Sequence, residues 1–573
     1  MKKLKVLVML MAIFATTITA CRDSFLDVAP TGSLGNAELS SLAGLEGTLI
    51  AAYSMLLGRG GFYADASNWF WGSVRGGDAN KGTNAGDQSQ MNEVQAYSPQ
   101  TNNASVFQKY RRLYEGVARA NAVLGLLAVS GDDVSAADKT RIEAEAKFLR
   151  GHYYFGLKKN FDNTPYVDEK WDEVTPVPNN QDLWPFIQAD FQFAYDNLPE
   201  TQGDAGRANK WAAGAYLAKT HLFQGNWGEA KGLFDVIMTN GVTANGQPYG
   251  LLADYKDAFR APTDNSAESV FASQAAAGTG TINNANPAMV LNFPHGSTGP
   301  ERPGGCCGFF QPSFELVNSF RTGADGLPLL DGSYNDAANA MANDMGLQSG
   351  DPFTPDAGNI DPRLDHSVGR RGIPYLDWGP HPGFDWVRDQ AYGGPYSPKK
   401  FIYYKSGVGT ENDGSSWTPG YTAVNYNIIR YADVLLMAAE AEIELGNNDA
   451  ALALINQVRA RAAGSPVLDE NGNNAATYVV NEYTAFADKA EATAALRMER
   501  KLELSGEGHR FYDLVRWGIA EATLDAYLAY ENARLSSPFA GADFASNQDE
   551  FLPIPQDEID LQGADVISQN PGY

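Results

Sequence analysis

The stretch Tyr431-Ala432-Asp433-Val434-Leu435-Leu436-Met437-Ala438-Ala439-Glu440-Ala441-Glu442-Ile443-Glu444-Leu445-Gly446, continuing into Asn448-Asp449-Ala450-Ala451-Leu452-Ala453-Leu454-Ile455, decides the fold. Apolar residues at 431, 434, 435, 438, 441 and 445 follow the i, i+3, i+4, i+7 pattern of an amphipathic helix. Gly446 then supplies the C-cap, and a second helix over 448–463 uses Ala451, Leu454, Ile455 and Val458. The same grammar occurs at 210–239. Ala218, Gly225, Ala230 and Phe234 fall at the same mutual offsets as Ala439, Gly446, Ala451 and Ile455. Small residues let paired helices approach, the glycine turns the corner and the bulky residue fills the groove, which is the mechanical content of a tetratricopeptide helix pair.

Working outward, a helix near 39–57 precedes one over 104–129, and one over 136–158 precedes another near 183–198. That makes four pairs, with nearly 190 residues between the third and the fourth. The interval 241–426 is rich in Gly and Pro, and its short apolar runs at Ser269–Ser273 and Lys400–Tyr404 read as short strands. A loop region of that length inside a compact protein is usually functional. The expected fold class is mainly α: four tetratricopeptide-like helix pairs packed against an irregular, loop-rich half with short strands. One composite domain at 36–573 would hold helical repeats at about 36–240 and 427–520, the insertion at 241–426 and an irregular C-terminal segment at 521–573.

The 573 residues carry 43 Lys+Arg against 69 Asp+Glu, a net charge of −26. Nucleic acid is not an expected partner, because phosphate-backbone binding needs a basic face. With 44% hydrophobic residues a packed core is available and wholesale disorder is excluded. The 58 Gly and 29 Pro, with 28 Phe, 27 Tyr and 10 Trp, point to long aromatic-rich loops on that scaffold.

At the N-terminus, Lys2-Lys3-Leu4-Lys5 precedes an apolar run over 6–14 and small residues up to Ala20, the grammar of a secretory signal. The run is too short to span a bilayer, which takes about 20 residues. Ile18-Thr19-Ala20-Cys21 resembles a bacterial lipobox, so residues 1–20 are read as a lipoprotein signal peptide, Cys21 as the lipidated residue and 21–35 as a tether. Cleavage would remove three lysines and no acids, deepening the net charge to −29. Acylation at Cys21 is the expected membrane attachment, since stable anchoring takes more than one chain. The other two cysteines, Cys306 and Cys307, are adjacent. In an oxidising envelope compartment they read as a vicinal disulfide, with a pair of buried thiols as the alternative.

Several segments together carry a resemblance. They are Asn427-Ile428-Ile429-Arg430-Tyr431-Ala432-Asp433-Val434-Leu435-Leu436; Glu499-Arg500-Lys501-Leu502-Glu503-Leu504 with Glu507-Gly508-His509-Arg510-Phe511-Tyr512-Asp513-Leu514-Val515-Arg516-Trp517; and Phe551-Leu552-Pro553-Ile554-Pro555 with Gln569-Asn570-Pro571-Gly572-Tyr573. With the lipobox and Asp23-Ser24-Phe25-Leu26-Asp27, they resemble the SusD/RagB family of Bacteroidetes outer-membrane nutrient-binding lipoproteins. The resemblance implies four tetratricopeptide pairs under an irregular ligand-binding half. It also implies an outer-membrane lipoprotein facing the cell exterior, sitting as a lid on a TonB-dependent transporter barrel. Such a protein captures oligosaccharides, or in some members peptides, delivers them to the barrel and catalyses nothing.

The charged residues of 499–517 sit at helical spacing and read as a structural ion-pair network rather than a catalytic cluster. No His-Glu-x-x-His, Gly-x-Ser-x-Gly or Walker motif occurs. Asp469-x-Asn471-x-Asn473 starts like a calcium loop, but Asn474 and Val480 stand where the glycine and the bidentate glutamate are required. No cofactor is expected, and a structural calcium ion in the irregular half is left open without a placed site. A sugar site needs an aromatic platform with a few convergent polar groups. Trp69, Trp71, Arg75 and Asp78 fit that recipe in a glycine-rich stretch. The resemblance adds Arg75, Tyr97, Asn102 and Asn103 as the closest matches to family binding positions. Cys306, Cys307 and Phe309 stand among glycines, where the flat disulfide itself could serve as a stacking surface. Trp378 and Trp386, with Arg388 nearby, complete the candidates. An oligopeptide-binding subunit is the alternative function, and a surface glycoside hydrolase a less favoured one.

Overall fold

The computed structural model of the protein describes residues 35–573 except 61–63, 173, 297–298 and 536. The segments expected to form a signal peptide (1–20) and a tether, with the expected lipidation site Cys21, lie outside the described residues.

The four helix pairs form as the periodicity predicts. They are α1 (Leu42–Tyr53) with α2 (Ala104–Ala128), α3 (Ala136–Phe161) with α4 (Trp184–Asn197), α5 (Lys210–Phe223) with α6 (Trp227–Asn240), and α7 (Tyr431–Glu444) with α8 (Asn448–Ala463). Side-chain oxygens of Ser41, Asn103, Ser135 and Asn209 cap α1, α2, α3 and α5, satisfying amides that a helix start leaves without partners. Gly225 and Gly446 turn the corners at φ +72° and +84°, a region L-residues rarely enter. The other matched positions of these two pairs behave alike: Ala218, Ala230, Phe234, Ala439, Ala451 and Ile455 are all fully buried.

Consecutive helices stack in one continuous run, α2 on α3, α3 on α4, α4 on α5 and α5 on α6. The run then continues directly from α6 to α7, so the long insertion leaves and re-enters the solenoid without breaking it. A further helix, α9 (Lys489–Glu503), packs on α7 and α8.

The irregular half is held by two-stranded antiparallel ladders. β1 (Ala79–Gly82) pairs with β3 (Phe309–Pro312) in the register Ala79↔Pro312, Asn80↔Gln311 and Gly82↔Phe309. β2 (Ser269–Ser273) pairs with β4 (Tyr426–Arg430), which feeds straight into α7. The expected strand at Ser269–Ser273 is therefore present, whereas Lys400–Tyr404 is irregular. Two features prevent a ladder there: Phe401 sits at φ +64°, and the Lys400 ammonium is drawn inward to the Glu507 carboxylate at 2.7 Å. One large apolar core runs through both halves. A second, small one of Phe293, Tyr375, Trp386, Ile402 and Tyr403 lies within the insertion.

Candidate functional site

The segment Glu499–Trp517 resolves into buried ion pairs. Arg363 joins Asp361, Glu499 and Glu503; Arg430 joins Glu268, Glu503 and Glu507; Arg500 joins Asp433 and Asp513. Burial pushes the Glu503 carboxyl up, but the guanidiniums of Arg461, Arg430 and Arg363 outweigh it and hold the group well below the usual carboxylate range. Each of these charges has a partner and is closed off from solvent. That geometry ties the insertion to the repeats and offers nothing to a substrate.

The β1–β3 ladder brings two of the predicted stretches together, 69–82 and 306–312, but with most of their side chains turned inward. Trp69 and Trp71 lie in a single π-helical turn (Trp69–Val74) and are 1% and 0% exposed. Trp69 packs edge-on against Phe309 and Phe310, with ring centroids 6.5 and 5.7 Å away. Arg75 is buried, stacking over Phe511 at 3.9 Å and donating to the Asp549 carbonyl at 2.6 Å. The Tyr97 hydroxyl donates to the Arg75 carbonyl, and its ring packs on Phe544. Asp78 accepts from the Gly506 amide at 3.0 Å. Asn103 caps α2 and is itself bonded to Glu93, while Asn102 beside it is exposed. Phe309 and Trp386 are buried as well. Trp69, Trp71, Arg75, Asp78, Tyr97, Asn103, Phe309 and Trp386, expected to face a ligand, are thus all buried in this structure. The rings pack against neighbouring side chains of the core, and the polar groups spend hydrogen bonds on nearby backbone and side chains, although Arg75 Nη1 and Asp78 Oδ1 have no hydrogen-bond partner.

Apart from Asn102 at the start of α2, what remains at the surface gathers around the cysteines. Cys306 and Cys307 are joined in a vicinal disulfide, with Cys307 buried and Cys306 half-buried at the surface. Its loop is pinned on every side. The Gly304 amide donates to the Tyr403 hydroxyl at 2.8 Å, the Gly304 carbonyl accepts from the Thr418 hydroxyl, and the Cys307 amide donates to the Leu291 carbonyl at 3.3 Å. The small aromatic core lies directly beneath: a Cβ placed on Gly304 would meet the Phe293 ring at 2.2 Å, so only glycine fits. Tyr403 also links the loop to Trp378, a half-buried ring whose Nε1 donates to the Tyr403 carbonyl at 3.1 Å.

Two further groups flank this face. Trp417, 55% exposed, stands next to Thr418, and Pro419 lies against Gly305. Its indole is fixed by an Nε1 hydrogen bond to the Tyr421 hydroxyl at 3.0 Å, at the head of the short ladder that pairs Asp413 with Tyr421. On the other side, Arg388 donates to Thr83 at 2.8 Å and pairs with Asp87. The Thr83–Asp87 loop is held from below by the Lys81 ammonium, which bonds the Asn84 and Asp87 carbonyls at 2.9 and 2.8 Å. Burial draws that ammonium down to about 8, with Asp87 opposing. His295 completes the rim, its Nδ1 3.2 Å from the Gly305 carbonyl; burial lowers its pKa, so it is neutral near pH 7. Sequence reasoning missed Trp417, His295, Thr83 and Asp87. The signal for Trp417 was present in Ser415-Ser416-Trp417-Thr418-Pro419-Gly420, where an indole stands in a turn-rich run with no apolar neighbours to bury it.

The assembled face is therefore a rigid disulfide, an open indole, a guanidinium–carboxylate pair and an imidazole, all on loops braced from within. Among the described residues, no group of three or more His, Cys, Asp or Glu is placed to hold a metal ion, and no helix is long and apolar enough to cross a membrane. A family model described as "SusD family" matches residues 267–573, more than half of the chain. The chain belongs to the SusD family.

A second family model, described as "Starch-binding associating with outer membrane", matches residues 25–222. A SusD-like protein of Formosa agariphila is 24% identical over 597 aligned positions that cover 100% of both chains. A SusD superfamily protein of Bacteroides vulgatus superposes with a TM-score of 0.67 at 22% identity, over 93% of this chain and 100% of its own. A laminarin-binding SusD-like protein superposes with a TM-score of 0.62 at 24% identity, over 93% and 99%. These SusD structures share the mainly helical architecture with its tetratricopeptide-like pairs.

Proposed function

We propose that this SusD family member is a non-catalytic, surface-exposed lipoprotein that captures oligosaccharides or polysaccharides and passes them to a partner TonB-dependent transporter barrel in the outer membrane. The observation that carries the reading is the face around Cys306–Cys307. A sugar ring presents C–H surfaces to an aromatic or other flat apolar face, and its hydroxyls to charged and planar polar groups. Trp417 and the disulfide supply the first; Arg388, Asp87 and His295 supply the second. Rigidity matters as much as composition, because a braced site loses little side-chain freedom on binding. The laminarin ligand of one structural neighbour supports a glycan over a peptide. So does the composition of the face, which is built from loops and side chains rather than the sheet edge that a peptide's backbone would extend.

The reading is tested by calorimetry of the purified protein against a panel of β- and α-glucan oligosaccharides, other plant and algal glycans, and oligopeptides. Binding to at least one glycan is expected, with no release of reducing ends on prolonged incubation. Binding to oligopeptides alone would overturn it. Delivery is tested separately: the tagged lipoprotein, purified from native outer membranes in mild detergent, should carry a β-barrel transporter with it.

A further inference from the structure

Two buried side-chain oxygens without a hydrogen-bond partner belong to residues that line one cavity. They are Asp78 Oδ1 and Asn292 Oδ1, on residues only 1% and 2% exposed. Asp78 gives its other oxygen to the Gly506 amide at 3.0 Å. Asn292 turns its Nδ2 to the Met289 sulfur at 3.9 Å, which aims Oδ1 away from that contact. A buried acceptor that nothing donates to keeps the full penalty of losing water, and native interiors rarely leave one so.

The cavity measures about 20 Å³. One water needs about 10–15 Å³ on that scale, so there is room for one and little more. Every residue of its lining is buried except the half-buried Gly506. Lys399 and Lys400 are among them. The Lys400 ammonium spends its three protons on the Glu503 and Ser505 carbonyls and the Glu507 carboxylate, at 3.2, 2.8 and 2.7 Å. Lys399 spends two, on the Asp365 and Pro374 carbonyls, and has a third to give. These groups select the occupant. Two lysines in the lining repel a cation and two acceptor oxygens repel an anion, whereas a water donates to both oxygens and accepts from an ammonium. That makes three hydrogen bonds, the usual complement of a buried water. Burial lifts the Asp78 carboxyl toward its acid form, opposed by the Gly506 amide, Arg510, Ser73 and Lys501. A water serves either form, donating to the carboxylate or accepting from the acid.

We propose that this cavity is the binding site of a single structural water that bridges Asp78 Oδ1 and Asn292 Oδ1 and accepts from Lys399. The water joins three segments that underlie the disulfide face. Asp78 precedes β1, and its carbonyl accepts from the Ser313 amide at 3.1 Å, just beyond β3. Asn292 follows the turn Met289–Leu291, whose last carbonyl holds the Cys307 amide. Lys399 leads into Ile402 and Tyr403 of the small aromatic core. The site is a property of the fold and stands whether or not the face binds a glycan, so the two readings fail separately.

The test is a crystal structure of the full-length protein at a resolution that shows ordered water, grown with calcium chloride present. One peak is expected in the cavity, with contacts of about 2.7–3.0 Å to both Oδ1 atoms. A cavity without density overturns the proposal, and so does a heavier peak with contacts of about 2.3–2.6 Å, the signature of calcium. Denaturation of Asp78→Leu, Asn292→Leu and the double variant supplies a second reading. Each single variant strands the water on one side, whereas the double variant no longer needs it. The rise in the unfolding constant of the double variant should therefore fall short of the product of the two single rises by about fivefold or more. A rise equal to that product overturns the bridge. The wild-type crystal structure decides the matter even where a variant fails to fold.

Discussion

Arg430 and Glu507 meet as a buried bidentate pair, with Nε donating to Oε2 at 2.7 Å and Nη2 to Oε1 at 2.9 Å. Arg430 ends β4 and opens α7, while Glu507 follows α9, so the pair clasps the return of the insertion onto the last repeat. Arg430 also reaches Glu268 and Glu503 at 2.7 and 2.6 Å, and Lys400 shares Glu507. Removing one partner of such a group strands the others in a dry interior. Arg430→Met is expected to cost about 3–5 kcal/mol. Arg430→Lys should restore little, because a single ammonium cannot reproduce the forked contacts. Chemical and thermal denaturation at pH 7 read both.

Asp78 gives a pH dependence opposite in sign to that of an ion-paired carboxylate. Burial lifts its carboxyl from 3.8 to about 6, opposed by the Gly506 amide and Arg510. Between those values the native state keeps a proton that the unfolded chain has released. The contribution to stability is thus full below about pH 4 and is lost as pH rises through 6. Asp78→Asn should therefore stabilise the protein at pH 8, by up to about 3 kcal/mol at roughly 1.4 kcal/mol per unit, and make little difference at pH 4. Denaturation curves of the two proteins at both pH values provide the comparison.

Trp71 is a core residue in this structure, fully buried with its ring 5.0 Å from that of Phe70. Trp71→Ala is expected to cost about 3–5 kcal/mol, the usual penalty for emptying a large aromatic site. The folded fraction should bind glycan with unchanged affinity. A loss of affinity in protein shown to be folded would return Trp71 to the binding site.

Two glycines with similar backbones should separate strain from crowding. Gly472 has φ +81° and open space within 4 Å of where a Cβ would stand, whereas Gly508 has φ +74° and its Cβ would lie 2.1 Å from the Ser67 carbonyl oxygen. Gly472→Ala should cost about 1–2 kcal/mol, the left-handed penalty alone. Gly508→Ala should cost about 1–3 kcal/mol more, because the π-helical segment behind it has to shift. Thermal midpoints of the two variants measure the difference.

The repeats were legible because helix pairs write themselves locally: offsets of 7, 12 and 16 residues from Ala218 and from Ala439 carry the whole turn. The ion-pair knot was half legible. Helical spacing within 499–517 showed, but partners such as Glu268, Arg363 and Lys400 come from the insertion, and long-range pairing leaves no local trace. The aromatics were the hardest to read. Trp69-Phe70-Trp71 and Trp417 are equally aromatic in sequence, yet the first run is swallowed by a π-helical turn against Gly508 while the last sits on a loop too polar to fold inward. What distinguishes them is whether neighbouring residues can cover the ring.

The central claim, a glycan site on the disulfide face, is tested most directly by the calorimetric affinity of Trp417→Ala for whichever glycan the wild type binds. The expected result is a drop of at least tenfold, about 1.4 kcal/mol, with an unchanged thermal midpoint, since the indole is 55% exposed and little of the fold rests on it. The Cys306→Ser, Cys307→Ser double variant should lose affinity in the same assay. Wild-type affinity in the Trp417→Ala protein would contradict the account.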